Sequence, residues 1–215
     1  MSEKYCRTLH LSWSSGTSDD KIASSVDSLL NRKIVITEKL DGSNVCLEKG
    51  NCFARTHSGP PNHPSFDAFK SLHASIKHNI PENIQIFGEW CFAKHSIEYT
   101  ELPHYFLMFN VRDQKLQEWA SWEEVELWAE MLGVPTVPVL FTGTVYSEKH
   151  LEDLTNGFMK QPSCCSGERE GVVVRVYDSF NNEDFSKCVM KAVRPNHVVT
   201  SSHWTSQEII KNKLK

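Results

Sequence analysis

A β-branched run, Ile34-Val35-Ile36-Thr37-Glu38, ends directly on a lysine and a tight turn, Lys39-Leu40-Asp41-Gly42. β-Branched residues favour extended backbone, and an Asp-Gly pair favours a chain reversal. Two further strand-like stretches follow at residues 44–47 and 52–55, and a polar turn at 48–51 joins them. The pattern predicts a meander of three short strands, with a single lysine amine held at the end of the first.

The rest of the chain alternates between helix-like and strand-like segments. Capping boxes at residues 121–124 and 205–208 predict two helix starts, and Gly133 is expected to end the first of these helices. Other helices are expected at residues 19–30, 65–78 and 147–158, and other strands at 84–90, 105–111, 171–177 and 188–193. The elements predict an α+β fold of mostly antiparallel sheets with helices packed outside. Neither a Walker loop nor a Rossmann glycine pattern is present.

The 215 residues, 40% of them hydrophobic, are enough for one substantial domain, which we expect to span residues 1–215. No apolar run approaches transmembrane length, and the start of the chain lacks a secretory signal pattern. The seven cysteines are an odd number without a CxxC pair, which disfavours a disulfide framework. A cytoplasmic protein with no membrane partner is therefore expected.

A net charge of −4 argues against binding of nucleic acid through a uniformly basic surface. Any polynucleotide would have to meet a local basic patch. The end of the chain supplies one, and it includes a basic tail or helix predicted over residues 203–215. The basic residues of this region are Lys187, Lys191, Arg194, Lys211, Lys213 and Lys215.

Charged side chains lie inside or beside otherwise apolar strands at Glu89, Glu170 and Lys191. Burying such a group costs free energy unless the group is paired, so each is a candidate functional residue. An amine such as that of Lys39 attacks phosphorus only when it is uncharged, and its ordinary pKa is about 10.4. Carboxylates that hold a metal ion, and cations that neutralise phosphates, would complete such a site.

Five segments, in order, resemble the motifs of the covalent nucleotidyltransferases: residues 38–44, 87–97, 105–113, 170–175 and 190–194. The spacing of Asn44 from Lys39, the run at residues 92–97 and the run at residues 193–197 resemble the RNA ligase family, in the branch typified by the second RNA ligase of phage T4. A Lys-Xaa-Asp-Gly pattern alone is more typical of a hairpin turn. Five motifs in order, over residues 34–204, favour the resemblance.

The resemblance implies a role for each residue of the site. Lys39 would be the adenylated nucleophile, Lys191 and Glu170 would complete the catalytic set, and Glu170 would help to bind Mg²⁺ or Mn²⁺. The ATP contacts would be Glu38 beside the adenine, Phe109 stacked on it, Glu89 on the ribose hydroxyl, Arg55 near the ribose and phosphates, Asn44 near the phosphates, and Lys191 on the α-phosphate.

The family often has a second lysine where this chain has Val193, so either Arg194 takes that role or one phosphate contact is missing. Arg169, Arg175 and Lys187 are expected to be solvated or to face substrate.

The implied function is that of an ATP-dependent RNA ligase, which forms lysyl-AMP, transfers AMP to an RNA 5′-phosphate and seals it to a 3′-hydroxyl, usually in RNA repair. DNA ligases and capping enzymes share this chemistry but usually carry an OB-fold domain, for which the roughly 20 residues after Arg194 are too few. A pseudo-ligase that binds nucleotide or RNA ends without sealing them is the other alternative. A protein partner or second subunit that supplies end-binding is left open.

Overall fold

Two β-sheets and their covering helices make up the fold in this computed structural model, which describes residues 2–15, 21–195 and 209–215. The strands are β1 (Leu9–His10), β2 (Lys33–Lys39), β3 (Ser43–Leu47), β4 (Cys52–Ala54), β5 (Ile84–Trp90), β6 (Phe106–Asp113), β7 (Glu118–Trp119), β8 (Val139–Thr144), β9 (Gly171–Val176), β10 (Phe180–Asn181) and β11 (Val189–Val193). The α-helices are α1 (Asp67–Ile76), α2 (Trp122–Leu132), α3 (Glu148–Met159) and α4 (Phe185–Cys188).

The first sheet has five strands in the order β1-β11-β9-β2-β8, and the second has six in the order β10-β7-β6-β5-β3-β4. Among the pairs described, only β1 with β11 is parallel. The predicted α+β class, with mostly antiparallel sheets flanked by helices, is confirmed.

The Asp41-Gly42 turn joins the two sheets and is not a hairpin turn. β2 ends at Lys39 in the first sheet, and β3 begins at Ser43 in the second. Because β2 pairs with β8 on one side and β9 on the other, neither of its edges is left for β3. The meander predicted for the first two strands is therefore wrong, whereas the hairpin of β3 and β4 is confirmed. Lys39 consequently lies where the chain passes from one sheet to the other.

β2 is buried on both of its faces, which explains its unbroken apolar sequence. Ile34 and Ile36 pack in one apolar cluster with Val172 and Val174 of β9, whereas Val35 packs in the other cluster. A strand that is covered on both faces has no solvent side on which polar residues would alternate. The strand that carries Lys39 is thus held by the core of the molecule.

Three predicted helices are confirmed. At the start of α2, the Ser121 hydroxyl accepts a hydrogen bond from the Glu124 N–H at 3.2 Å, and the Glu124 carboxylate accepts one from the Ser121 N–H at 2.7 Å. The helix ends at Gly133, which adopts the left-handed conformation (φ 66°) that favours glycine. α1 lies inside its predicted range of 65–78. Each end of α3 is one residue from the predicted range of 147–158. None of the described helices is both long and apolar enough to cross a membrane.

The helix expected at residues 19–30 is wrong in the part that the structure describes. The Ala23 N–H donates to the His10 carbonyl at 2.8 Å, beside β1, and only Asp27–Leu29 forms a 3₁₀ turn. The Ser25 hydroxyl accepts from the first N–H of that turn at 3.0 Å. Serine side chains that satisfy backbone groups in this way favour turns over helix interiors.

The basic helix expected over residues 203–215 is also wrong in residues 209–215, the part that the structure describes. Its capping box at 205–208 lies outside the described residues, and residues 209–215 form an extended segment. The Lys94 N–H donates to the Ile210 carbonyl at 2.7 Å, so the backbone of this segment bonds to another loop rather than to itself. Backbone N–H and C=O groups that bond to another segment cannot also form the hydrogen bonds within a helix.

Four strands were not predicted, namely β8 and the two-residue strands β1, β7 and β10. Two residues are too few to show a period, and β8 has no fully buried side chain in its pattern of half-buried and exposed positions. Pairing with neighbouring strands, rather than a local sequence signal, makes these segments extended.

The capping box of α2 gives a test of the fold. Ser121→Ala removes the hydroxyl that accepts from Glu124, and we expect a loss of about 1 kcal/mol of unfolding free energy. For a chain of this size that corresponds to a fall in Tm of about 2–4 °C in thermal denaturation. Ser75→Ala, which removes an exposed hydroxyl bonded within α1, is the control and should change Tm by less. Equal effects of the two changes would contradict the capping role.

Candidate active site

The amine of Lys39 is paired with the carboxylate of Glu170. The Lys39 Nζ donates to Glu170 Oε1 at 2.6 Å and to Glu170 Oε2 at 2.7 Å. The antiparallel register of β2 and β9 places Lys39 opposite Gly171, which brings the preceding carboxylate to the amine. A Cβ on Gly171 would lie 2.1 Å from the Ala192 carbonyl oxygen, so only glycine fits where β9 meets β11. Two separate strands thus fix the pair.

Burial of the Lys39 amine by itself lowers its pKa, but the carboxylates of Glu170, Glu89 and Asp41 outweigh that effect, and the pKa of Lys39 is raised overall. The group therefore contains one cation and three carboxyl groups. Such a group attracts a further cation, and the lysine stays protonated while only these protein groups surround it. A reaction that needs the free amine requires the carboxylates to be neutralised first.

The turn that follows Lys39 is held by hydrogen bonds from a second loop. The Asp41 carboxylate accepts from the Ser96 and Ile97 N–H groups at 2.7 and 2.8 Å, and the Asp41 N–H donates to the Tyr99 hydroxyl at 2.9 Å. A Cβ on Gly42 would lie 2.8 Å from the Trp90 carbonyl oxygen, which explains the glycine. Asp41 thus anchors the turn.

Glu89 faces the turn from β5. Its carboxylate accepts a hydrogen bond from the Gly42 N–H at 3.1 Å. Burial raises the pKa of Glu89 to about 8, the positive charge of Lys39 opposes the shift, and the charges of Glu170 and Asp41 add to it. This carboxyl is therefore largely protonated near neutral pH, and such shifted groups are typical of functional sites.

A cavity of about 720 Å³ opens beside Lys39 and reaches both sheets. Residues that were singled out in the sequence for nucleotide binding or catalysis line it together. They are Glu38, Lys39, Asn44, Arg55, Glu89, Phe109 and Lys191. Its volume is in the range of small-molecule sites.

Glu38 lines the cavity, and one of its two carboxylate oxygens is used by the chain itself, while its Oε1 is buried without a hydrogen-bond partner among the described residues. Its Oε2 accepts from the Cys164 N–H at 2.9 Å and pairs with the Arg169 guanidinium at 3.4 Å. Arg169 is 3% exposed, so the expectation that it is solvated is wrong. Arg175 is equally buried and lines the cavity, while Lys187 is exposed as expected.

Arg194 lies outside the residues that line the cavity. Its guanidinium pairs with Glu168 at 2.6 Å, and its N–H donates to the Glu170 carbonyl at 3.0 Å. β11 ends at Val193, one residue before it. Lys191 is the cation that β11 presents to the cavity, and a phosphate contact by Arg194 stays a prediction.

A segment near the start of the chain also lines the cavity, and its sequence did not indicate this. The ring of Tyr5 meets that of Phe109 edge-on at 5.1 Å, and the Asn110 side-chain amide donates to the Tyr5 hydroxyl at 3.2 Å. Lys4 and Arg7 line the same cavity. A lone aromatic residue in a polar stretch was the one available signal, and it does not specify a partner.

Comparison with known proteins places this site in a family. The family model for RNA ligase matches residues 32–193, about three quarters of the chain, and the chain belongs to that family. The match contains β2, β5, β6, β9 and β11, the strands that carry the cavity residues. A search of curated proteins found no significant match.

Solved structures of Naegleria gruberi RNA ligase share the fold. An aspartate-to-alanine variant without ligand aligns with a TM-score of 0.59 and 17% identity over 81% of this chain and 52% of that one. A lysine-to-alanine variant with ATP and Mn aligns with a TM-score of 0.57 and 17% identity over 78% and 51% of the two chains. A structure with pyrophosphate has a TM-score of 0.55 and 17% identity over the same shares. The chain thus spans about half the length of the structures that it matches.

The raised pKa of Glu89 leads to a stability test. A carboxyl with a pKa near 8 in the fold and near 4.5 in the unfolded chain binds its proton more tightly when folded, so stability falls as the pH rises between these values. Glu89→Gln cannot ionise. In buffer with a metal chelator, we expect its Tm to exceed that of the wild type at pH 9 and to approach it at pH 5.

The matched control is Glu130→Gln, on the exposed face of α2. Its Tm difference from the wild type should not change between pH 5 and pH 9. A Glu89→Gln protein that is less stable than the wild type at pH 9, in thermal denaturation under the same conditions, would contradict the raised pKa.

Proposed function

We propose that this chain is an ATP-dependent RNA ligase whose nucleophile is Lys39. The observation that carries the proposal is the position of one lysine amine at the end of β2, in the lining of the cavity and 2.6 Å from Glu170. Membership of the RNA ligase family supports the reaction class. A lysine held only for structural reasons would not need to face a cavity lined by polar groups from both sheets.

In the first step, the Lys39 nitrogen attacks the α-phosphorus of ATP. A phosphorus–nitrogen bond forms, the bond to the β-phosphate bridging oxygen breaks, and pyrophosphate leaves with its electron pair. The amine must lose its proton to solvent before it attacks, and neutralisation of the Glu170 carboxylate, 2.6 and 2.7 Å from it, would lower the pKa of Lys39 and favour that loss. Lys191, which lines the same cavity, would neutralise charge on the α-phosphate.

The cavity supplies the other contacts that a nucleotide requires. Phe109 offers an aromatic face for adenine, Glu89 a carboxyl for a ribose hydroxyl, and Arg55 and Asn44 polar groups for ribose and phosphates. Glu38 is close to the adenine in this proposal, although its carboxylate bonds to Cys164 and Arg169. Phosphoryl transfer depends on such positioning and on charge stabilisation more than on covalent chemistry.

A divalent cation fits the charge of the site, and Glu170 is the residue that would hold it. Within the described residues, no group of three or more Asp, Glu, His or Cys side chains could hold a metal ion by itself. Mg²⁺ is commonly held by one or two carboxylates together with substrate phosphates, so one glutamate is a sufficient protein contribution. The excess of carboxylates around Lys39 favours a cation, and Mg²⁺ or Mn²⁺ would neutralise phosphate charge when bound. The Naegleria structures with ATP and Mn support this choice.

AMP would then pass from Lys39 to the 5′-phosphate of an RNA, and a 3′-hydroxyl would displace it to form the phosphodiester. We place this activity in RNA repair in the cytoplasm. All seven cysteines are free, which agrees with a reducing compartment. A partner or second subunit that binds RNA ends is also part of the proposal.

The first test is covalent labelling. With α-³²P-labelled ATP and Mg²⁺, the wild type should give a labelled band on a denaturing gel, and a metal chelator should abolish the band. Lys39→Ala should give none, because no amine remains to attack. Lys33→Ala, at the opposite end of β2, is the matched control and should be labelled like the wild type. Labelling with GTP instead of ATP would indicate a capping enzyme, and no labelling at all would leave a binding module.

The second test separates RNA from DNA. With ATP and Mg²⁺, we expect the wild type to seal a nicked RNA duplex faster than a DNA duplex of the same sequence, measured by the conversion of a 5′-labelled strand. Equal or faster sealing of the DNA would contradict the RNA assignment. Accumulation of adenylated RNA without sealing would mean that the partner is required for the last step.

A further inference from the structure

The extended segment 209–215 is bound to the loop that follows β5. The Asn212 N–H donates to the Phe92 carbonyl at 2.9 Å, and the Asn212 carbonyl accepts from the Tyr105 hydroxyl at 3.1 Å. The Lys213 N–H donates to the Tyr99 carbonyl at 2.9 Å. These bonds join two parts of the chain that are more than a hundred residues apart in sequence.

The side chain of Asn212 joins the two ends of that loop. Its Nδ2 donates to the Cys91 carbonyl at 2.9 Å, and its Oδ1 accepts from the Tyr99 N–H at 2.9 Å. Asn212 is 1% exposed, and both its donor and its acceptor are used. A primary amide is the smallest side-chain group that donates and accepts in one plane, so asparagine suits this position.

The same loop holds the turn after Lys39. Between the two ends that Asn212 joins, the Ser96 and Ile97 N–H groups bind the Asp41 carboxylate, and the Tyr99 hydroxyl accepts from the Asp41 N–H. Tyr99 therefore contacts Asn212 through its backbone and Asp41 through its side chain. The path from Asn212 to the turn of Lys39 consists of two hydrogen-bonded steps.

The attachment of the segment is polar rather than apolar. Ile210 is 53% exposed and Leu214 is 45% exposed, so the apolar side chains of the segment bury little surface. Backbone hydrogen bonds along the segment and the side-chain hydrogen bonds of Asn212 attach it, and the Lys211 amine lies over the rings of Phe92 and Tyr105. A segment that served only to complete the core would bury its apolar residues instead.

We propose that Asn212 is a positioning residue for the adenylation of Lys39. Asn212 fixes the loop at residues 91–99, the loop fixes the Asp41-Gly42 turn, and the turn sets the direction from which the Lys39 amine meets the α-phosphate. The strands that line the ATP cavity do not depend on this path. This positioning role rests on the proposed function, because adenylation of Lys39 is the reaction whose rate Asn212 affects.

The experiment is single-turnover self-adenylation at a series of ATP concentrations. Asn212→Ala should lower the maximal rate by about tenfold or more, since small displacements of a nucleophile cost about that much. The ATP concentration for half-maximal rate should stay within about twofold of the wild type, because the cavity is intact. Asn83→Ala, which removes one hydrogen bond to Asp113 at the far end of β5, is the control and should change neither value.

Tyr99→Phe is the second variant, and it keeps the proposal testable if Asn212→Ala fails to fold. It removes only the hydroxyl that accepts from Asp41, and it should also lower the maximal rate with little change in the half-maximal concentration. The double variant should be no slower than the slower single variant, because both changes interrupt one path. Additive losses would overturn the path.

The outcomes separate this inference from the proposed function. If the wild type is adenylated and Asn212→Ala reacts at the same maximal rate, the positioning role is wrong while the ligase proposal stands. If Asn212→Ala raises the half-maximal ATP concentration without lowering the maximal rate, the residue supports binding and the positioning role is again wrong. If the wild type is not adenylated at all, the proposed function itself has failed.

Discussion

Pairing on both edges of β2 is the constraint on which the rest of this structure depends. Because β8 and β9 occupy the two edges, the chain must leave the first sheet after Lys39 and start its next strand in the second. This places a lysine amine beside a cavity that both sheets line, on a strand whose two faces lie in the core. The Asp41-Gly42 turn is short because it only has to cross from one sheet to the other, and Gly42 is required where the turn passes the Trp90 carbonyl.

The electrostatics of the site follow from that placement. Three separate parts of the chain bring the carboxyl groups of Glu170, Glu89 and Asp41 close to the Lys39 amine. The pKa of Lys39 is therefore raised, although its burial acts in the opposite direction. The same crowding, together with burial, raises the pKa of Glu89 to about 8. A group of this composition stabilises positive charge, which agrees with the divalent cation and the cationic side chains that phosphoryl transfer needs. In the proposed reaction, neutralisation of Glu170 is what releases the free amine.

The sequence predicted the parts of this site that depend on residue type and local order. The apolar strand before Lys39, the capping box of α2 and the charged residues within apolar strands could be read directly, and the chain order of the motifs identified the family. The sequence could not predict which distant residues form hydrogen bonds with each other. The bonds between Asn212 and the loop at residues 91–99, for example, leave no local pattern in either segment. The same limit explains the wrong meander, since an Asp-Gly turn suits a hairpin and a sheet-to-sheet crossing equally. At residues 19–30, serines bond to backbone groups, so residues of a type that can cap a helix did not specify one.

The central claim is that the Lys39 amine becomes covalently bonded to AMP. Intact mass spectrometry of the wild type, after incubation with ATP and Mg²⁺, would measure whether the protein gains the mass of one AMP. Peptide mapping of the same sample would then locate the adduct. We expect a single adduct on the peptide that contains Lys39. An adduct on Lys191 or on another lysine, with Lys39 unmodified, would contradict the account.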